Sequence, residues 1–253
     1  MEKNVIAGLG EIGNPIYKII SKKHSSVGYD IDKNQKNNNY DKKFQKYETS
    51  FLHVCIPFSK KFHSNVLKLN KKFSPRIIVI HSTISPLTTK QLQSKLSIPV
   101  IYSATRGVHK RMSYDLKRYT KFFAMSKNVN NKKLVSREFS KLMKQCGIKT
   151  KEMTSPETLE LGKIVCDTSY LGWLVNYAQL SNMIAKQYGV DYDEMWSFSE
   201  EIHKILGNRP KMFPGFIGGH CVIPNLDLIH NDTLDIIKQL NNKYSKKLKT
   251  SKQ

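Results

Sequence analysis

Long apolar runs are missing from this 253-residue sequence. None reaches the roughly 18 uncharged residues that a membrane-spanning helix needs, so we expect no membrane partner. The first residues lead directly into an apolar strand, and no signal peptide is expected. Cysteine is scarce as well. The 4 cysteines form no CxxC pair and no zinc-ligand spacing, which predicts free thiols, no metal site and a cytoplasmic protein.

Acidic residues are also few, with 20 Asp and Glu against 42 Lys and Arg and a net charge of +22. Such an excess is typical of nucleic-acid-binding proteins. Here, however, the lysines are spread along the whole chain, often beside asparagines, and arginines are few. This distribution indicates solvated faces, and we expect no nucleic-acid partner. The charge favours anionic substrates such as nucleotides.

A glycine-rich motif follows the first apolar run, and it reads Gly8-Leu9-Gly10-Glu11-Ile12-Gly13. Gly8 permits a tight turn, Gly10 permits close approach of a pyrophosphate, and Gly13 permits close packing of the next helix. That helix begins near Ile12 and aims its free amides at the phosphates. The motif therefore predicts a dinucleotide-binding site.

Asp30 ends the next predicted strand, about 20 residues after the first glycine, where dinucleotide-binding folds place an acid for the adenosine ribose. A carboxylate there accepts hydrogen bonds from the ribose hydroxyls and repels a 2′-phosphate. We therefore expect NAD to be preferred over NADP.

Residues 1–154 alternate short apolar runs with amphipathic segments, which predicts an α/β domain with a Rossmann-like, doubly wound parallel sheet. A polar segment at 32–46 is interpreted as a solvated loop or short helix. The predicted strands are 5–7, 26–30, 51–56, 76–81, 99–102, 121–125 and 148–150, and the clearest helices are 59–73 and 131–146.

Residues 155–253 are predicted to form a helical dimerisation and substrate domain. Ser155 as helix cap and Pro156 at the first helical position begin a helix that continues to Tyr188. From 164 to 184 it is apolar almost all round, so it should be buried on most sides, and we expect a homodimer interface there. Further helices at 193–206 and 232–247, a turn-rich region at 208–224 and a disordered basic tail complete the domain.

Two local patterns carry candidate chemistry. Cys221 follows Gly218, Gly219 and His220, and glycines give a thiol the room and close backbone that a nucleophile needs. A buried core cysteine after a turn is the alternative.

The second pattern is Lys163 and Asp167, four residues apart in the long apolar helix. They could neutralise each other as an ion pair, or the lysine could polarise a reacting oxygen.

Together these motifs resemble the UDP-glucose/GDP-mannose dehydrogenase family, over roughly residues 1–230. Besides the glycine motif and Asp30, Cys55-Ile56-Pro57-Phe58 resembles in part its Val-Pro-Thr-Pro loop. His81-Ser82-Thr83-Ile84 resembles its turn beside the nicotinamide. The most specific match is Gly218-Gly219-His220-Cys221-Val222-Ile223-Pro224, which is similar to its Gly-Gly-His-Cys-Ile-Pro catalytic loop.

The resemblance implies a four-electron oxidation of a sugar alcohol. NAD takes a hydride, Cys221 adds to the aldehyde, a second NAD takes a second hydride, and water hydrolyses the thioester. It also implies that Lys163 stabilises oxyanions and that Pro57, Ser82 and Thr83 lie at the cofactor.

Three departures from the family pattern bear on this expectation. The family's Ser-Pro-Glu motif appears as Ser103-Ala104-Thr105, so the glutamate that assists hydrolysis is replaced by Thr105. Asp167 replaces a neutral asparagine. The sequence also stops before the family's C-terminal nucleotide-binding domain, so we expect either that the substrate lacks a nucleotide or that a partner completes the site.

Arg106, His109 and Lys110 follow the altered motif. They could bind an anionic substrate together with Gly219 and His220, or simply form a solvated basic loop. Two further functions remain open: a two-electron hydroxyacid-type dehydrogenase in which Cys221 is dispensable, and a catalytically idle NAD-binding partner or regulator.

Overall fold

The structure, a computed structural model, describes residues 1–32, 44, 46–206, 214–228 and 232–250. It divides into two compact units, Met1–Lys163 and Ile164–Gln253. Most of the polar segment 32–46 and the helix end expected near Gly207 lie outside the described residues.

Unit one is built on a seven-stranded sheet in the order β2-β1-β3-β4-β5-β6-β7. All neighbouring strands are parallel except β5 and β6, which are antiparallel. The expected α/β, mostly parallel fold is therefore confirmed. The strands are β1 Glu2–Ala7, β2 Ser26–Tyr29, β3 Glu48–Val54, β4 Ile77–Ile80, β5 Val100–Tyr102, β6 Lys121–Met125 and β7 Thr150–Glu152.

Helices cover both faces of this sheet because the strand side chains alternate between two cores. Val5 of β1 packs in the core with Phe62 and Leu92, whereas the next residue, Ile6, packs in the opposite core with Ile16 and Phe139. The helices are α1 Gly13–Ile20, α2 Phe62–Phe73, α3 Thr88–Gln93, α4 Met112–Arg118, α5 Lys132–Gln145 and α6 Pro156–Leu161. The sequence analysis did not predict α3 and α4, which are too short to show a clear helical period.

Helix α6 begins as expected, since the Ser155 hydroxyl accepts a hydrogen bond from the Thr158 amide at 3.2 Å. It belongs to unit one, whereas the sequence analysis set the domain boundary at 154/155. Leu159 packs in the core beside α2, and the buried Glu160 carboxylate accepts hydrogen bonds from the Leu87 and Thr89 amides.

The predicted continuous helix from 155 to 188 is wrong in its middle. A π-helical segment, Gly162–Ser169, separates α6 from α7 Tyr170–Tyr188. Gly189 ends α7 with a left-handed φ of 68°.

Unit two also contains α8 Tyr192–Leu206, α9 Ile223–Leu226 and α10 Asp232–Thr250. Its core joins Val175 of α7, Ile217, Leu226 of α9 and Ile237 of α10. The tail expected to be disordered is helical as far as Thr250. No helix within the described residues has the length and hydropathy needed to cross a membrane.

Helix α7 is not buried on most sides within one chain. Many of its large side chains are exposed, in a stripe whose members are three or four residues apart, as in the seam of a coiled coil. The stripe consists of Tyr170, Trp173, Tyr177, Leu180, Ile184 and Tyr188.

Candidate functional site

The glycine loop follows the carboxyl end of β1. The next two strands of the chain, β2 and β3, lie on opposite sides of β1 in the sheet. Open α/β sheets bind ligands at such a switch point. Gly8 has a φ of 90°, and a Cβ there would lie 2.7 Å from the Cys55 carbonyl oxygen. A Cβ on Gly13 would lie 1.6 Å from the Gly8 carbonyl oxygen. Neither position can hold a side chain.

Gly10 differs from these two glycines, because nothing lies within 4 Å of the Cβ position that it lacks. Its backbone therefore borders open space at the carboxyl edge of the sheet. The first turn of α1 begins three residues later and presents its amide groups to the same edge.

Asp30 follows β2 and is hydrogen-bonded to the glycine loop. One carboxylate oxygen accepts from the Leu9 amide at 2.6 Å, and the other accepts from the Asp32 amide at 2.9 Å. The carboxylate thus tethers the loop at the switch point while remaining only partly buried. A carboxylate oxygen has a second lone pair, which leaves acceptor capacity for a ribose hydroxyl.

Glu11 and Ile12 occupy the variable positions of the loop. The Glu11 carboxylate lies 2.5 Å from Nδ1 of His109, which belongs to a 3₁₀ turn, His109–Arg111, after β5. The loop after β5 therefore contacts the glycine loop. The sequence analysis assigned His109 to the substrate and did not predict this ion pair.

Two further loops follow β3 and β4 and reach the same edge of the sheet. The Ser82 hydroxyl donates a hydrogen bond to the Ile56 carbonyl at 2.6 Å, which joins them. Pro57 is exposed and Thr83 partly exposed, so both can meet a ligand at this edge.

Thr105, where the resembling family has a glutamate, is in contact with a buried lysine. Lys121 Nζ donates to the Thr105 hydroxyl at 3.2 Å and to the carbonyl oxygens of Ser103 and Ala104 at 3.0 and 3.3 Å. Burial, together with the nearby charges of Arg106 and Lys163, lowers the pKa of Lys121 to about 7. The sequence analysis missed Lys121, although a lysine inside a predicted strand was a signal.

His53 and His81 were also missed as a pair. They lie in the interior of the sheet with His53 Nδ1 2.9 Å from His81 Nε2. The other nitrogen of His81, Nδ1, lies 3.2 Å from the Ser103 carbonyl oxygen and must donate to it. Burial and the charge of Lys121 lower the pKa of His53 to about 3.

Arg106 and Lys110 differ in how free they are to meet a substrate. The Arg106 guanidinium donates to the Thr120 carbonyl at 2.7 Å and lies over the Phe122 ring, 4.9 Å from its centroid. These two contacts hold the Arg106 guanidinium against the rest of the fold. Lys110 is exposed.

The π-helical segment changes the relation between Lys163 and Asp167. Residues four apart share a face of an α-helix, but a π-helix has a longer repeat. Lys163 is half-buried, and its charge contributes to the lowered pKa of Lys121. Asp167 is exposed within one chain, although the sequence analysis placed it in a helix expected to be buried on most sides. π-Helical turns are frequent at functional sites.

In unit two, Cys221 lies in an exposed turn and forms no disulfide, so the interpretation as a buried core cysteine is wrong. Gly219 has a φ of 71°, which turns the chain before His220, and Gly218, Gly219 and His220 are exposed. The Cys221 carbonyl accepts a hydrogen bond from the Asn225 side chain at 2.6 Å.

The residues of unit one fit a dinucleotide. The loop has open space beside Gly10, the end of a helix for phosphates and a carboxylate for a ribose. Gly8, Gly10, Asp30 and Ser82 thus lie at one edge of the sheet, which is compatible with the predicted cofactor site.

No protein-family model and no curated protein matches the chain. Solved structures do match. A UDP-D-ManNAc dehydrogenase from Pyrococcus horikoshii matches with a TM-score of 0.74 and 16% identity, over 96% of this chain and 68% of that one. A UDP-N-acetyl-mannosamine dehydrogenase from Staphylococcus aureus matches with a TM-score of 0.70 and 17% identity, over 100% of this chain and 70% of that one.

A 3-hydroxyisobutyrate dehydrogenase from Mycobacterium tuberculosis, solved with L-serine, matches with a TM-score of 0.65 and 13% identity. The match covers 97% of this chain and 93% of that one. At these identities the likenesses establish that the chain has the fold of these dehydrogenases.

Proposed function

We propose that the chain is an NAD-dependent oxidoreductase that oxidises a primary alcohol or aldehyde of a sugar-like substrate. The observation that carries the proposal is the glycine loop at the switch point, with open space beside Gly10 and the carboxylate of Asp30 bonded to the loop. The likeness to nucleotide-sugar dehydrogenases supports the substrate class.

In this proposal, different residues of unit one bind different parts of the cofactor. The glycine loop and the first turn of α1 bind the phosphates, and Asp30 accepts hydrogen bonds from the ribose. Pro57, Ser82 and Thr83 border the reacting end. When bound, NAD supplies the hydride acceptor for the oxidation.

Cys221 and Lys163 carry the remaining chemistry in this proposal. The Cys221 thiolate bonds to the aldehyde carbon, and the Lys163 ammonium stabilises the negative oxygen that results. After the second oxidation the acyl group is a thioester. Water then bonds to the acyl carbon, the carbon–sulfur bond breaks, and the sulfur takes back a proton.

Thr105 cannot serve as the base for that water, because its neutral hydroxyl does not take up a proton at neutral pH. Hydrolysis should therefore be the slow step. Asp167, which is exposed, is one carboxylate that could assist it.

A two-electron hydroxyacid-type dehydrogenase is the second candidate. It is favoured by the match to the 3-hydroxyisobutyrate dehydrogenase, which covers nearly all of both chains. In that enzyme Lys163 would remain essential and Cys221 would not. An NAD-binding partner without activity is the third candidate, and Thr105 in place of an acid suits it.

We also propose that the chain forms a homodimer through the exposed stripe of α7. A stripe repeating every three or four residues fits a second copy of the same helix, which gives a symmetric interface.

A screen with NAD and three substrate classes separates the candidates. Thermal unfolding midpoints and formation of reduced cofactor are measured with nucleotide sugars, free sugars and hydroxyacids. Turnover of a sugar alcohol is expected. Turnover of hydroxyacids alone would favour the second candidate, and NAD binding without any turnover would favour the third.

A further inference from the structure

The exposed turn that carries Cys221 is fixed at both ends by buried groups of unit two. On its far side, Val222 packs against α7 at Gly172, where an added Cβ would lie 3.2 Å from the Val222 side chain. On its near side lies Ile217, which is 7% exposed and belongs to the core of this unit. Only Gly218, Gly219 and His220 separate Ile217 from Cys221.

One side chain forms hydrogen bonds with both the amide and the carbonyl of Ile217. The Asn241 carboxamide on α10 accepts from the Ile217 amide at 2.8 Å and donates to the Ile217 carbonyl at 3.1 Å. Asn241 therefore makes the two hydrogen bonds with the Ile217 backbone that a neighbouring strand would make, although no strand is present there among the described residues. Asn241 itself is 3% exposed.

A second buried carboxamide holds Asn241 in this orientation. Gln179 on α7, fully buried, donates to the Asn241 oxygen at 3.1 Å and to the Gly215 carbonyl at 2.7 Å. Its own oxygen accepts from Asn176 at 2.8 Å. These partners determine which end of each carboxamide carries the oxygen, so this hydrogen-bond network has one arrangement.

Three buried carboxamides are costly unless they satisfy particular groups, because each polar atom loses its hydration on burial. Here Gln179 and Asn241 bond the backbone of the segment leading to Cys221, and Asn176 bonds Gln179. Apolar residues could join α7 to α10 but could not hold the Ile217 backbone.

We propose that Asn241, oriented by Gln179, is a positioning residue that sets the backbone of the turn carrying Cys221. The proposal rests on the proposed function, in which that thiol is the nucleophile. Small displacements of a reacting group lower the rate steeply, by as much as about 100-fold for about 1 Å.

The test compares Asn241→Leu with Tyr244→Phe in the full-length chain. Leucine keeps the size of the side chain and removes both bonds to Ile217. Tyr244 lies one turn further along α10, and its hydroxyl bonds Asn182 of α7 at 3.3 Å, so Tyr244→Phe removes a bond between the same helices. Asn241→Asp, which keeps the acceptor for the Ile217 amide, serves if the leucine variant does not fold.

Two readouts are followed. Iodoacetamide alkylation of Cys221 is measured by peptide mass spectrometry against Cys166, the other exposed thiol. The second readout is kcat and KM on the substrate that the screen identifies. In Asn241→Leu the alkylation ratio of Cys221 to Cys166 should rise about threefold because the turn is released, and kcat should fall about tenfold with KM for NAD unchanged. Tyr244→Phe should change neither.

The outcomes separate this proposal from the proposed function. An unchanged alkylation ratio and kcat in Asn241→Leu, or in Asn241→Asp if leucine prevents folding, would overturn the positioning role. Equal effects in Tyr244→Phe would also overturn it, since they would reflect general stability. If the ratio rises only at Asn241 while the wild type oxidises no substrate, the positioning role stands and the proposed function fails.

Discussion

His53 donates a hydrogen bond from Nδ1 to Nε2 of His81, over 2.9 Å in the interior of the sheet. The arrangement requires His81 to be neutral, because its Nδ1 donates to the Ser103 carbonyl while its Nε2 accepts. Burial first, and the charge of Lys121 second, lower the pKa of His53 from 6.5 to about 3 and that of His81 well below its usual value.

This pair predicts a loss of stability in acid. Between pH 6.5 and about 3 the unfolded chain binds a proton at His53 that the folded chain does not. The free energy of unfolding should therefore fall with decreasing pH, by up to about 1.4 kcal/mol per pH unit for each histidine. Urea unfolding at several pH values measures the slope, and His53→Gln should reduce it by about half. An unchanged slope with an unchanged urea m-value would contradict the prediction.

Asp30 predicts the choice of cofactor. Its carboxylate should repel a 2′-phosphate, so NAD should bind at least about tenfold more tightly than NADP, about 1.4 kcal/mol. Asp30→Asn keeps an acceptor for the Leu9 amide but removes the charge, and should reduce this preference. Asp32→Asn removes a neighbouring exposed charge and should preserve it. Calorimetry with both cofactors decides, and an equal affinity of the wild type for the two would refute the role of Asp30.

The exposed stripe of α7 predicts a dimer. Tyr177 in the stripe is 61% exposed, and Tyr114 on α4 is 62% exposed, so the two form a matched pair. Tyr177→Arg should place like charges at a symmetric interface and produce a monomer, whereas Tyr114→Arg should leave the dimer intact. Light scattering at micromolar concentration measures both. A monomeric wild type would count against the interface.

Cys221 and Lys163 predict distinct defects. Cys221→Ser should stop oxidation at or before the aldehyde, and Lys163→Ala should abolish the first oxidation too. Because Thr105 is not a base, acyl-enzyme should accumulate on Cys221 of the wild type, and intact-mass spectrometry would detect it. Cys166→Ser, which removes the other exposed thiol, should change nothing. Full turnover by Cys221→Ser would replace the thioester route with the two-electron enzyme.

The sheet and the glycine loop were predictable because their signals are local. The spacing of Gly8, Gly10 and Gly13 and the apolar runs of the strands each lie within a few residues, and the structure confirms the fold that they predict. The observed strand ends differ from the predicted ends by a few residues, because hydrogen bonds to the neighbouring strand determine where each strand stops.

The buried polar groups were not predictable, because their partners come from distant strands and helices. His53 meets His81 only through the register of β3 and β4, and Asn241 meets Ile217 only through the packing of unit two. The apolar character of α7 was evident from the sequence. Which of its sides the chain itself covers depends on packing that no single segment encodes.

The contrast between Gly10 and Gly13 has a consequence for genetics. A side chain at Gly13 would collide with the loop, so substitution there removes the folded protein itself. A side chain at Gly10 would enter open space, so an alanine allele should leave the protein's abundance unchanged and obstruct only the dinucleotide that we propose binds there. Cells carrying the two alleles would therefore reveal whether an organism depends on the ligand-bound protein or merely on the presence of the chain.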